Sequence, residues 1–185
     1  MGGNVLVDAS TFLIRTLFDL YIVAVALRFL LQWVRADFHN PISQFLVTVT
    51  NPPLRPLRRV IPGIAGKDLS SLVLMILLKA VQISILSLIL SGALPAPLGL
   101  FLISLGEIIK LIIWIFIIAI FIQVILSWVN PGAYNPATVL IHRLTEPLLA
   151  PARRMIPPIG GLDLSPIVVL IFLQLLLILL RPLTH

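Results

Sequence analysis

Cysteine is absent from the chain, which excludes disulfides, thiol catalysis, iron–sulfur ligation and covalent haem attachment. Charge is scarce as well: Asp, Glu, Lys and Arg make up 11% of the 185 residues. Soluble domains carry about 25%, so an ordinary soluble globule would lack the polar groups to cover its surface. Catalytic furniture is equally thin. There is no glycine-rich nucleotide loop, no zincin-type histidine pair and no G-x-S-x-G elbow. His39, His142 and His185 belong to no evident ligand or catalytic set, and His39 and His142 do not share a repeat position. These absences predict a non-enzymatic protein with no metal, no cofactor and no catalytic residues.

What is present in excess is apolar. Hydrophobic residues reach 59% and the mean hydropathy is +1.14. Disorder is thereby excluded in spite of 15 prolines. Four stretches have the roughly 20 apolar residues that a bilayer core demands of a helix. They run over about 10–34, 70–90, 98–129 and 165–180. The first starts too late and runs too long for a cleaved signal peptide, and it lacks a basic leader, so it reads as a retained span. The net charge of +6 points to an anionic membrane surface rather than to direct nucleic-acid contact.

The polar segments 35–69 and 130–164 lie on one side if all four stretches cross. They hold Arg35, Arg55, Arg58, Arg59 and Lys67, and Arg143, Arg153 and Arg154, while the connection 91–97 holds no charge. The positive-inside rule puts both segments in the cytoplasm and both termini on the periplasmic side. Arg181 opposes this weakly.

Shifting the chain by 95 residues aligns its halves without a gap. Trp33 falls on Trp128, Asn40-Pro41 on Asn135-Pro136, Pro52 on Pro147 and Pro56 on Pro151. Arg58-Arg59 falls on Arg153-Arg154, Gly66 on Gly161 and Asp68-Leu69-Ser70 on Asp163-Leu164-Ser165. Over 31–73 against 126–168, 19 of 43 residues are identical. The expected fold is therefore an all-α membrane protein. It has four transmembrane helices in two parallel repeats, 1–92 and 93–185. A pseudo-two-fold bundle is the economical arrangement; pairing of repeats between chains is the alternative.

Within each repeat, Asn40-Pro41 or Asn135-Pro136 reads as a capped helix start. An amphipathic helix should follow, with Ile42, Phe45, Leu46 and Val49, or Ala137, Leu140, Ile141 and Leu144, on its apolar face. It would lie in the membrane interface or pack on the bundle. The prolines at 52, 53, 56 and 62, and at 147, 151 and 157, should then stop any long helix and leave a rigid, hairpin-like element against the headgroups. Arg55, Arg58, Arg59, Arg153 and Arg154 are the candidate contacts to lipid phosphate or an acidic partner. Ser70 and Ser165 read as helix caps. Asp68 and Asp163 would accept first-turn amides or pair with the arginines.

Ionisable residues inside apolar stretches are functional candidates by default. Arg15 and Lys110 can snorkel from near the span ends, and Glu107 is placed to pair with Lys110. Asp19 lies about 21 Å and Lys79 about 16 Å from the cytoplasmic ends of their helices at the usual rise, so the two should form an intramembrane pair. Gln174 is the repeat partner of Lys79. Arg28 and Gln32, with their equivalents Gln123 and Ser127, would form a polar vestibule below the cytoplasmic segments, and Trp33 and Trp128 would anchor at the interface.

The duplicated block TNPPLRPLRRVIPGIAGKDLS and TEPLLAPARRMIPPIGGLDLS, with W-V-x(5)-NP before each, resembles the YggT family of bacterial inner-membrane proteins. Its relatives in Gram-positive bacteria, cyanobacteria and chloroplasts are YlmG-type proteins, typically with one copy. The matching positions are Asn51, Pro52, Pro56, Arg58, Arg59, Pro62, Gly66, Asp68 and Ser70. In the second copy Glu146 replaces the asparagine, and Pro147, Pro151, Arg153, Arg154, Pro157, Gly161, Asp163 and Ser165 keep the pattern. The resemblance implies inner-membrane residence and no assigned reaction. Phenotypic links to osmotic tolerance and ion homeostasis, to division or nucleoid distribution, and to assembly of membrane complexes leave two expectations. One is a scaffold or assembly factor that meets anionic phospholipids and another membrane protein or itself. The other is a small transporter or channel component.

Overall fold

The computed structural model describes residues 2–61, 63, 68–129, 135–156 and 163–183. They form α1 (Gly2–Trp33), α2 (Pro41–Val60), α3 (Leu69–Ser91), α4 (Pro97–Val129), α5 (Pro136–Met155) and α6 (Ser165–Leu180), closed by a 3₁₀ turn at Arg181–Leu183. The architecture is all-helical among the described residues. Displaced by the 95-residue offset, α1, α2 and α3 fall on α4, α5 and α6, and α2 and α5 coincide end to end. Gly66, Lys67, Gly161, Pro62 and Pro157 lie outside the described residues.

Among the described residues three segments are long and apolar enough to cross a membrane: Leu69–Ser91, Pro97–Val129 and Ser165–Leu183. Their outer faces are apolar and exposed, with Phe101, Ile118 and Phe121 on α4 and Ile171, Phe172 and Leu179 on α6. An apolar surface of this extent suits contact with lipid. The long α1 packs chiefly against α3 and carries Asp8, Arg15, Asp19 and Arg28 along its length.

The core runs through every helix. Ile22, Val25 and Leu30 of α1 meet Leu74 and Met75 of α3 and Ile108 and Ile120 of α4. Leu54 of α2 and Leu149 of α5, repeat equivalents, are both completely buried against it. In each repeat the three helices pack on one another. Between repeats α3 meets α4, α1 meets α4 and α5, and α2 meets α5. A two-fold axis would require the α3–α4 contact to recur between α6 and α1. It does not recur among the described residues, so the pseudo-two-fold expectation is not met. The physical reason is the short turn after α3, whose left-handed Gly92 (φ 69°) donates to the Leu88 carbonyl at 3.1 Å. That turn ties α3 to α4.

The proline-rich stretches differ from the sequence expectation. They are not hairpin-like elements: Pro52, Pro53 and Pro56 lie inside α2, and Pro147 and Pro151 inside α5. An interior proline removes one amide donor and normally breaks a helix. Here both helices continue through their prolines, each packed along one face. Ser43, Leu46, Thr50 and Leu54 form a continuous buried line on α2. The Val49 carbonyl, deprived of a donor by Pro53, accepts the Tyr21 hydroxyl at 3.2 Å. The apolar face assigned to α2 also shifts. Leu46 is buried, but Ile42, Phe45 and Val49 form an exposed ridge beside the buried line.

Candidate functional site

The starts of α2 and α5 are set by their asparagines. Asn40 accepts the Ile42 amide at 2.9 Å and donates to the Pro136 carbonyl at 2.7 Å, stitching the two repeats together. Asn135 and Thr138 make a reciprocal capping box. At this end of the bundle the termini of α1 and α4 meet α2, α5 and the starts of α3 and α6, and most of the candidate residues collect here.

In the first repeat Arg28 reaches from α1 to α2. Its Nη1 donates to Thr50 Oγ1 at 2.7 Å, Asn51 Oδ1 at 2.9 Å and the Val47 carbonyl at 3.3 Å. In the second repeat Thr145 instead donates its hydroxyl to Gln123 Oε1. Arg58 at the end of α2 pairs with the buried Asp68, which also accepts the Ser71 hydroxyl at 2.8 Å. Burial raises the Asp68 pKa, but Arg58 and Ser71 outweigh it and hold the carboxyl below the usual carboxylate range. Arg153 bridges two carboxylates, Asp163 at 2.9 Å and Glu146 at 3.0 Å. Burial disfavours its charge, yet Asp163 and Glu146 together raise the guanidinium pKa. Asp163 is likewise lowered, against the effect of burial, by Ser165 and Arg153.

The serine caps are corrected. Ser70 is the second residue of α3 and donates to the Ile61 carbonyl at 2.9 Å, tying the end of α2 to α3. Ser165 gives no side-chain cap, and its amide donates to Asp163 Oδ1 at 2.9 Å. Helix starts held by a neighbouring loop carboxylate or carbonyl have no need of a serine cap. Arg55, Arg59 and Arg154 are exposed and have no ion pair among the described residues. Trp33 and Trp128 are exposed at the same end.

A second polar cluster joins α1, α3 and α4. Lys79 Nζ lies 3.0 Å from Asp19 Oδ1 and 3.9 Å from Glu107 Oε2, and Lys110 lies 3.1 Å from Glu107. Gln82 donates to Asp19 Oδ1 at 3.0 Å and to the Arg15 carbonyl at 3.2 Å, leaving its own buried Oε1 without a partner among the described residues. A cavity of about 170 Å³ opens beside Asp19, Lys79, Glu107 and Lys110. Gln174, equivalent to Lys79, is exposed and has no hydrogen bond or ion pair among the described residues. Gln82 escaped sequence reasoning although it lies one helical turn from Lys79 on the same face. Thr50 and Thr145 also escaped it, although they are identical at the repeat offset.

The family described as CCB3/YggT matches the chain twice, over residues 7–89 and 102–184. The chain is 48% identical to an uncharacterized protein of Pseudomonas aeruginosa over 169 residues, 91% of this chain and 86% of that protein. It is 36% identical to the uncharacterized protein YggT of Escherichia coli K12 over 169 residues, 91% and 87% of the two chains. The uncharacterized protein ycf19 of Porphyra purpurea is 34% identical over 88 residues, covering 47% of this chain but 88% of ycf19. One such chain therefore corresponds to a single repeat. No solved structure matches.

Proposed function

For a chain that belongs to the CCB3/YggT family and repeats one three-helix unit, we propose the role of a non-enzymatic scaffold or assembly factor in the bacterial inner membrane. In this reading α1, α3, α4 and α6 span the bilayer in two parallel repeats. Both termini are periplasmic, and α2 and α5 lie as amphipathic helices at the cytoplasmic face. The observation that carries the reading is the set of exposed arginines without ion pairs among the described residues, Arg55, Arg59 and Arg154, beside exposed Trp33 and Trp128. Cations free of internal carboxylates are available to anionic phospholipid or to an acidic surface of another membrane protein or a second copy. The exposed ridge Ile42, Phe45 and Val49 gives the same layer an apolar side. No nucleic acid, metal or cofactor enters this role.

The test is cross-linking in native membranes, followed by purification of the full chain with its partners. The triple reversal Arg55→Glu/Arg59→Glu/Arg154→Glu should abolish recovery of a defined membrane partner while insertion and helix content persist. An unchanged partner set would overturn the scaffold role.

The Asp19–Lys79–Glu107–Lys110 cluster favours the second reading, a transporter or channel component, because it surrounds a cavity and leaves Gln82 Oε1 unpartnered. Ion flux in vesicles containing the pure protein, abolished by Lys79→Gln, would establish transport instead. The mutual neutralisation of two lysines by two carboxylates speaks for a structural cluster and against it.

A further inference from the structure

The two repeats hold opposite charge around the same frame. The charged set of the first repeat, Arg28, Arg58 and Asp68, has an excess of one positive charge. That of the second, Arg153, Glu146 and Asp163, has an excess of one negative charge. The exchange is made at two positions: Arg28 and Asn51 in the first repeat become Gln123 and Glu146 in the second. In the second repeat both carboxylates converge on Arg153 and satisfy it. In the first, the positive excess faces a cleft of about 530 Å³ lined by Arg28, Gln32, Phe38, Val47, Arg58, Gly63 and Asp68.

Arg28 is the informative residue, because only 6% of it is exposed and it still lines this cleft. All three of its hydrogen bonds leave from Nη1. Its Nε and Nη2 have no acceptor among the described residues, and the side chain borders the cleft. A guanidinium presents its donors in a planar fork that matches two oxygens of a phosphoryl group or a similar oxyanion. A cation this deeply buried gains most when such an anion replaces water.

We propose that the cleft of the first repeat is a binding site for a phosphoryl oxyanion, held by the free edge of Arg28 and by Arg58. The same chemistry is offered by an anionic phospholipid headgroup and by free phosphate. Asp68 competes with the ligand for Arg58. Among the described residues the second repeat has no counterpart of this arginine pair, because Gln123 supplies no charge and Glu146 occupies Arg153. The site is independent of the scaffold role: it rests on Arg28 and Arg58 inside the cleft, whereas that role rests on Arg55, Arg59 and Arg154 outside it.

The test uses the full chain purified in a neutral detergent. Native mass spectrometry reads retention of phosphatidylglycerol against uncharged diacylglycerol, and thermal unfolding reads stabilisation by inorganic phosphate. The wild-type chain should hold one anionic lipid tightly, be stabilised by phosphate, or both. Lipid without phosphate assigns the site to a headgroup, and phosphate without lipid assigns it to the free ion. The pair Arg28→Gln/Asn51→Glu rebuilds the set that already packs in the second repeat, and it should weaken binding about tenfold or more, as loss of a charge-assisted contact implies. Asp68→Asn should strengthen binding, a gain that a damaged fold would not produce. Failure of the wild-type chain to bind either probe, or equal binding by the Arg28→Gln/Asn51→Glu pair, would overturn the proposal.

Discussion

Thr50 and Thr145 occupy one place in the two repeats, both wholly buried, and they are held in opposite senses. Thr50 accepts a hydrogen bond from Arg28, whereas Thr145 donates one to Gln123. A hydroxyl serves either need, because it is donor and acceptor at once. The frame has therefore stayed while its partners changed in matched sets. Arg28 with Asn51 stands against Gln123 with Glu146. Tyr21 with Pro53 stands against Phe116 with Leu148. In the second case the match is physical: Pro53 takes a donor from the Val49 carbonyl and the Tyr21 hydroxyl returns one. Leu148 keeps its amide, and Phe116 carries no hydroxyl. Buried leucines and threonines define the repeat, and the polar residues around them give each copy its own chemistry.

This comparison can be broken or sharpened at four points. The largest effect should come from the mid-helix cluster, which only the α1–α3–α4 side possesses. Lys79→Met leaves the half-exposed Asp19 with Gln82 alone, while Glu107 keeps Lys110, and should cost about 2 kcal/mol, less than breaking a fully buried pair. Unfolding in mixed detergent micelles measures it, and a loss below about 1 kcal/mol, the value of an exposed pair, would show the cluster to be solvated.

The second effect is acid sensitivity. A carboxyl whose folded pKa lies below its unfolded value stabilises the fold above the unfolded value, about 3.9 for Asp, and loses that contribution as pH falls through the folded value. Asp68 and Asp163 are both lowered. The Asp68 side chain is 5% exposed and that of Asp163 is 41% exposed, so the acid loss should be steeper for the first repeat. Melting temperature followed from pH 6 to pH 3 should flatten more in Asp68→Asn than in Asp163→Asn.

Next in size is the tyrosine. Tyr21→Phe should cost about 1 kcal/mol, one hydrogen bond. Tyr21→Phe in a Pro53→Leu background should cost almost nothing, since the leucine amide now serves Val49. A double-mutant cycle with no coupling would separate the two residues. The smallest change is Gln174→Leu, expected within about 0.5 kcal/mol as for an exposed side chain outside any network. A larger loss would reveal a partner for α6.

Much of the fold was legible in the residues because the duplication samples one pattern twice. Helix starts at Asn40 and Asn135, the span limits of α3 and α6, and the approach of Lys79 to Asp19 follow from capping, length and helical rise. The proline segments differ from expectation because propensity describes an isolated helix and takes no account of packing against neighbouring helices, which buries Leu54 and Leu149 completely. The serines were misread for a related reason. A cap is only one way to satisfy a first turn, and Asp163 and the Ile61 carbonyl engage these serines from outside their helices. Gln82 and the orientation of Arg28 depend on which face of α3 or α1 meets its neighbour.

The sequence alone determined an apolar all-helical chain, its duplication, its family and the repeated proline–arginine segment, because composition, period and offset are properties of the string. The tertiary structure decided that α3 packs on α4 with no matching α6–α1 contact among the described residues, that α2 and α5 run helical through their prolines, and that two carboxylates satisfy Arg153 while Arg28 keeps two nitrogens without an acceptor among the described residues. Those outcomes depend on which distant groups arrive within hydrogen-bond distance, and packing sets that.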